Sequence, residues 1–362
     1  PFSENSLVLL RTPPPLCWPL DLGHDQPKGG ILMRLFSDRH PMLGSDSVMD
    51  ISIIGAGVSG LSTGIRLLEA GHDVTIFTEI TTPDTVSDTA AAWWYPFLAE
   101  PLEKTNRWSV ETFHELVRLM EEESVSCITM RKGKEFLEGE SPAPGWSKQI
   151  PHFRILESDE IASGYTFGWE IEAPVIEMHI YMPWLMERFE RLGGQLRIAK
   201  VCSLEELPGD LVVNCCGLGG KELCQDEDLE PIRGQIVYIE QDPGFGRFDQ
   251  RPESLIYTIP RRDVTVLGGT AQRGDWDESI REEDTEHILG KCESLWPELD
   301  RSKIVGVAVG LRPSRKLVRL EIEKLSNSKS VIHNYGHGGA GVTLSWGCAD
   351  EVVRMVSSKM TW

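Results

Sequence analysis

The chain has 362 residues, 40% hydrophobic and 25% charged, with 36 basic against 56 acidic side chains and a formal net charge of −20. That length can bury a substantial core in one large or two interleaved domains, and no apolar run reaches the roughly 18 residues of a transmembrane helix. So large a negative charge repels nucleic-acid phosphates and anionic membranes, which excludes both as expected partners, and a small anionic substrate would need a fixed cation of its own.

Residues 1–48 contain Pro13, Pro14 and Pro15 and no sustained periodicity, and are expected to form a poorly structured leader of unassigned role. They lack the layout of a secretory signal. From Met49 the pattern becomes regular: a strand at 51–54, a helix at 60–70 ending at Gly71, and a strand at 73–78. This succession is a βαβ unit with parallel strands and a right-handed crossover. Its turn reads Gly55-Ala56-Gly57-Val58-Ser59-Gly60, the G-x-G-x-x-G pattern between strand and helix. Gly55 permits a tight turn, Gly57 lets backbone approach a pyrophosphate, and Gly60 lets helix pack on strand. The helix N-terminus then offers N–H groups to phosphate. Glu79, 22 residues after Gly57, stands where an acid bonds ribose hydroxyls. The motif marks a dinucleotide site without separating FAD from NAD.

Helices are predicted at 105–122 and 183–192, the second from Leu185, Met186, Phe189 and Leu192 at helical spacing. Strands are predicted at 211–214, 235–239, 255–259, 265–268 and 330–334, and a last helix at 343–356. The apolar strand at 211–214 enters Cys215-Cys216-Gly217, as a strand returning to the cofactor crevice would. Gly338, Gly339 and Gly341 open the last helix, so two helix N-termini come from opposite ends of the chain. That arrangement suits a long enclosed dinucleotide and favours FAD. The eight cysteines are scattered, with no C-x-x-C pair, so reduced structural thiols and no metal site are expected, with a stabilising disulfide among those outside Cys215-Cys216 as the alternative.

Together these stretches resemble the D-amino acid oxidase family, which includes D-aspartate oxidase, within the glutathione-reductase-like FAD proteins. The carriers are the glycine turn, Asp88-Thr89-Ala90-Ala91-Ala92-Trp93-Trp94-Tyr95-Pro96, Arg233-Gly234-Gln235, Gly310-Leu311-Arg312-Pro313 and His333-Asn334-Tyr335-Gly336-His337-Gly338-Gly339-Ala340-Gly341. The resemblance implies an α/β fold: a Rossmann-type FAD-binding domain (49–105, 180–222 and 302–362) interleaved with an α+β substrate-binding domain on a mixed sheet (106–179 and 223–301). It implies FAD contacts from Gly55, Ala56, Gly57, Val58, Ser59, Gly60, Glu79, Ser87, Ala91, Ala92, Trp93, Val201, Cys216 and Gly217. Arg312, Gly338, Gly339, Gly341, Val342 and Thr343 complete that set.

The reaction implied is oxidation of a D-amino acid by O₂ and water to a 2-oxo acid, ammonia and hydrogen peroxide, by hydride transfer from Cα to flavin N5. Arg312 and Tyr257 would hold the carboxylate, the Gly339 carbonyl would accept from the amine, and no side-chain base at Cα is implied. Tyr95 stands where many relatives carry Gln, and the segment between Gln235 and Tyr257 is shorter than the lid of mammalian relatives. Ala271 comes after Gly268-Gly269-Thr270 where the D-aspartate branch carries arginine, with Arg273 nearby, so neutral D-amino acids are expected. D-aspartate, glycine or sarcosine substrates and a non-enzymatic dinucleotide sensor are the alternatives. The resemblance also implies a homodimer, and the ending Lys359-Met360-Thr361-Trp362, unlike a peroxisomal Ser-Lys-Leu terminus, gives a cytoplasmic expectation.

Overall fold

A computed structural model describes residues 48–251, 254–326 and 329–359; the expected leader, apart from Val48, lies outside them. The βαβ unit is as expected: β1 (Asp50–Ile54), α1 (Val58–Glu69) and β2 (Asp73–Thr78), with the two strands parallel. Four of the five β1 residues are buried, as in the middle of a sheet covered on both faces. Arg66 of α1 bonds Glu115 of α2 (Leu102–Glu121) and Asp350 of the last helix, and lies over the Trp346 ring. One guanidinium thus ties three helices together.

The middle of the chain contributes β3 (Ile128–Leu137), β4 (Phe153–Ile155), β5 (Phe167–Ile176), α3 (Met178–Arg191), β6 (Gln195–Ile198), β7 (Leu211–Asn214) and the short α4 (Gly220–Leu223). Helix α3 corrects the expected start at Pro183, which lies inside it. Met178, Tyr181, Met182, Leu185 and Phe189 are buried along one side, so packing carries the helix through the proline, leaving only the His179 carbonyl without its helical donor. Neither β3 nor β5 was expected from the sequence.

The last part of the chain supplies β8 (Glu230–Ile239), β9 (Gly246–Asp249), β10 (Ile256–Pro260), β11 (Thr265–Gly268), β12 (Gln272–Arg273), α5 (Glu282–Leu295), β13 (Ile304–Lys324), β14 (Ser330–His337) and α6 (Gly341–Lys359). The strands join in one sheet, ordered β4-β5-β3-β9-β10-β11-β8-β13-β14-β7-β1-β2-β6, with β12 beside β8. From β14 to β6 every pairing is parallel, which is the Rossmann half. From β4 to β13 the sheet is mixed. The 21-residue β13 pairs antiparallel with both β8 and β14, and so links the two halves. The Gly310-Leu311-Arg312-Pro313 stretch lies within this strand.

No helix of the described residues is long and apolar enough to cross a membrane. Cys127, Cys215, Cys216, Cys224, Cys292 and Cys348 are free thiols, whereas Cys202 is disulfide-bonded and departs from the expectation of reduced cysteines.

Candidate active site

The glycine turn is built for close approach. Gly55 has φ +94°, and a Cβ there would lie 2.6 Å from the Cys215 carbonyl oxygen. At Gly60 a Cβ would fall 1.9 Å from the Gly55 oxygen, so the helix can sit this close only with glycine. The Ser87 hydroxyl accepts from the Val58 N–H at 3.0 Å and stands 3.2 Å from where a Gly57 Cβ would be. Helix α1 has no acid in its first turn and no side-chain bond from its N-cap Gly57, which leaves its positive end to a ligand. Glu79 comes directly after β2 and is exposed. Val201 and Cys216 pack beside Ile54 and Phe77, and Gly217 has φ +56°. Burial raises the Cys216 pKa, so its thiol stays protonated.

The second half of the site is one face of the mixed sheet. Strand alternation puts Arg131, Gly133 and Glu135 on one face of β3, and residues in register share a face. Glu135 is in register with Phe248, Phe248 with Tyr257, Tyr257 with Gly268, and Gly268 with Ile236. Gly234 and Gly310 are paired further along the same face.

These glycines clear a floor for larger groups. A Cβ at Gly234 would lie 2.3 Å from the Arg312 guanidinium carbon, and one at Gly268 would lie 2.0 Å from the Tyr257 ring. At Gly133 it would meet Phe248 at 2.6 Å and Trp93 at 2.9 Å. Arg312 is half-buried, its Nη1 donates to the Thr270 carbonyl at 2.9 Å, and its guanidinium lies close enough to the Tyr257 hydroxyl to act on its charge. Among the described residues no carboxylate forms an ion pair with it. Burial raises the Tyr257 pKa against the lowering effect of Arg312, so the phenol keeps its proton.

Residues 87–97 cross from one half to the other. Ser87 holds Val58, Thr89 Oγ1 lies 3.3 Å from a Gly310 Cβ position, and the Ala90 and Ala91 carbonyls accept from Arg261 Nη2 at 2.6 and 3.1 Å. Trp93 lies over Gly133 and pairs with Val175 of β5. Ala92, buried, has φ +58°. Tyr95 exchanges hydrogen bonds with Thr343: its N–H donates to the threonine hydroxyl at 3.2 Å, and its carbonyl accepts at 3.1 Å. Phe97 Cδ1 lies 3.2 Å from a Gly339 Cβ position, and Arg312 Cδ lies 3.7 Å from it. Gly338 has φ +55° and an open flank, while Val342 and Thr343 are buried at the start of α6 beside Gly341.

The expected residues therefore gather into two connected groups: the turn with Ser87, and the sheet face with Trp93, Arg312, Tyr257 and Gly339. Three buried donors near residues 87–97, Trp93 Nε1, Arg131 Nε and Arg261 Nε, have no acceptor among the described residues. A glycine-cleared face, a helix N-terminus and unpaired donors suit a long, acceptor-rich cofactor such as FAD.

The polar residues of the most specific motif do other work. Asn334 donates to Thr63, His333 meets Asn214 and Glu323, Tyr335 donates to Asp226, and His337 bonds Asn334. Burial holds the His337 pKa down at about 4, so that imidazole is neutral. Arg233 is fully buried and bonds Asp284, Gln272, Gln235 and the carbonyls of Asp277 and Ser279. It clamps the α5 side of the sheet. Arg273 is 65% exposed and ion-paired with Glu230.

Sequence reasoning missed Glu135 and Arg261. Glu135 accepts from Trp169 Nε1 at 2.9 Å and contacts the Tyr95 hydroxyl, and burial pushes its pKa up to about 7. The available signal was glycine inside strands, at Gly133 and Gly268, which marks where a ring needs room.

The family described as FAD dependent oxidoreductase (DAO) matches residues 50–355. The D-amino-acid oxidase of Rubrobacter xylanophilus is 38% identical over 315 residues, covering 85% of this chain and 96% of that protein. The Dictyostelium discoideum D-amino-acid oxidase is 39% identical over 317 residues, 85% of this chain and 91% of that protein. Human D-aspartate oxidase is 34% identical over 322 residues, 85% of this chain and 94% of that protein. Glycine oxidase from Geobacillus kaustophilus shares the fold at a TM-score of 0.71 and 16% identity, over 86% of this chain and 95% of that one. The chain belongs to the DAO family of FAD-dependent oxidoreductases.

Proposed function

We propose that the protein oxidatively deaminates neutral D-amino acids to 2-oxo acids, with release of ammonia and hydrogen peroxide. The observation that carries this reading is Arg312: a guanidinium on the inner sheet face, without a carboxylate partner among the described residues, beside a protonated Tyr257 hydroxyl. A planar fork of donors takes a carboxylate bidentately and stays charged at any working pH. It also answers the repulsion that a net charge of −20 sets up against an amino-acid carboxylate.

With the carboxylate on Arg312 and Tyr257, the Gly339 carbonyl would accept from the substrate amine, and the two anchors would fix which face of Cα meets the cofactor. FAD held along the crevice by the glycine turn and residues 87–97 would supply the two-electron acceptor, with O₂ as the final oxidant. The chain's own contribution is orientation and a dry wall formed by Trp93, Phe97 and Phe248. No side-chain base is required: His337 is buried and bonded to Asn334. The neutral preference rests on Ala271 after Gly268-Gly269-Thr270 and on Arg273 being engaged by Glu230. The names of the relatives at 34–39% identity support the reaction class. By the same resemblance the protein is read as a homodimer with interleaved FAD-binding and substrate-binding domains, which sedimentation and FAD-dependent proteolysis would test.

The deciding experiment is anaerobic mixing of the yellow holoenzyme with D-alanine, L-alanine, D-aspartate and glycine, following flavin absorbance. Bleaching by D-alanine alone is the expected result. Bleaching chiefly by D-aspartate or glycine would overturn the neutral D-substrate reading, and no bleaching by any of them would overturn the reaction.

A further inference from the structure

Arg261 stands directly after β10 and faces the same side of the sheet as Tyr257 and Ile259, two and one alternations back. It is 5% exposed, and none of the ion pairs among the described residues includes it. The nearby acids are otherwise placed: Glu177 is held bidentately by Arg262, and Asp263 is exposed. The other groups that act on it at longer range are the phenols of Tyr238 and Tyr257. Its side-chain bonds run to the Ala90 and Ala91 carbonyls, and its Nε, like Trp93 Nε1 and Arg131 Nε, is buried without an acceptor among the described residues. Arg131 lies alongside, with Nη2 3.5 Å from the Arg261 carbonyl.

A buried guanidinium without a carboxylate is unfavourable unless something else takes its charge. Burial lowers its pKa, yet an arginine starts so high that it remains protonated. The charge therefore stays, and it is directed at residues 87–97, a segment that spans both halves of the site.

We propose that Arg261 is a positioning residue for the flavin: it pins residues 90–91 through two carbonyls and brings an uncompensated positive charge that favours the reduced, anionic form of the cofactor. The proposal rests on the reading that this segment wraps FAD. It adds no step to the reaction, since the two electrons still come from the substrate. It assigns to one residue the task of making the cofactor a better acceptor.

The test uses the holoenzymes of wild type, Arg261→Gln and Arg261→Lys, and reads the midpoint potential of bound FAD by reduction against a reference dye. Glutamine keeps a donor for the carbonyls and removes the charge; lysine keeps the charge and loses the fork. The expected result is that Arg261→Gln binds reduced relative to oxidised FAD about tenfold less well, a fall of about 30 mV, and that Arg261→Lys stays within about threefold of wild type. A Gln variant with FAD bound at the wild-type potential overturns the proposal. If the Gln variant does not retain FAD, the Lys variant decides: a wild-type potential supports the proposal, and a lowered potential or loss of FAD overturns it. Failure of the underlying FAD reading is a separate outcome, seen as wild-type protein that carries no flavin.

Discussion

Replacing Gly234 by alanine should injure catalysis while leaving the fold intact. The new methyl would stand 2.3 Å from Cζ, Nη1 and Nη2 of Arg312. Non-bonded carbon contacts relax at roughly 3.5 Å or beyond, so the fork must retreat by about 1 Å. Because the atoms that yield are the far end of a flexible side chain, neither the backbone of β8 nor FAD content should change. A shift of that size at a substrate-orienting group lowers turnover efficiency on the order of 10²-fold. In transition-state terms that is about 2.7 kcal/mol. Peroxide release from D-alanine gives kcat/KM, and flavin absorbance gives FAD occupancy in the same sample. A Gly234→Ala holoenzyme within about threefold of wild type would refute the role given to the Arg312 fork.

Gly290 offers the opposite case, since it is an exposed residue inside α5 with nothing within 4 Å of a Cβ: Gly290→Ala should raise stability by about 1 kcal/mol without touching activity, read as a higher Tm. Gly60→Ala places a methyl 1.9 Å from the Gly55 backbone oxygen, where no side chain can yield, so the purified protein should be colourless; a full complement of FAD would contradict the packing role. Arg233→Met breaks a buried ion pair with Asp284 and should cost about 3–5 kcal/mol, seen as a lower urea midpoint at unchanged slope. Glu135 has a folded-state pKa of about 7 against an ordinary 4.5, so the folded protein holds a proton that the unfolded chain has released between those values. Stability from this group is therefore full below about pH 4.5 and falls as pH rises to 7, by about 3 kcal/mol. Glu135→Gln should flatten that part of the stability curve relative to wild type; parallel curves would show that the carboxyl is not held protonated.

The β1-α1-β2 unit was legible because its apolar strands are buried on both faces and its turn requires glycine at fixed places. The strand and helix after Ser330 were legible for the same reason. The β3 strand, Ile-Thr-Met-Arg-Lys-Gly-Lys-Glu-Phe-Leu, was not: it turns Arg131 and Glu135 to one face and Lys132 and Lys134 to the other, so charges fall on both faces and the alternation disappears. The β13 strand hides in a similar way, since Gly310 and Pro313 are poor strand residues, and it is the pairing of this stretch with β8 that extends it, β14 joining only from Ser314 onward. Arg312 and Tyr257 could be named from their motifs. Glu135 and Arg261 could not, because their partners lie at Trp169, Tyr95 and residues 90–91, and nothing local announces a contact 34 or 171 residues away.

The same long-range logic explains why residues 87–97 matter more than their lack of regular structure suggests. A loop that crosses a sheet face would ordinarily leave its backbone groups unpaired. Here the carbonyls of Ala90 and Ala91 are taken by Arg261, the Ile176 N–H donates to the Ala92 carbonyl, the Trp94 N–H donates to Pro174, and Tyr95 is closed onto Thr343. These partners sit on three separate parts of the fold: the C-terminal end of β10, strand β5, and helix α6. A change in how those elements pack must therefore move the segment, and through Trp93 and Phe97 it must move the walls around Arg312 and Gly339. The glycines at 133, 234 and 268 are the complementary half of the arrangement, because each is the point where that wall or its anchor comes too close for a side chain. If Arg312 and Tyr257 hold the substrate as proposed, its geometry is set by clearance on the sheet as much as by the groups that touch it.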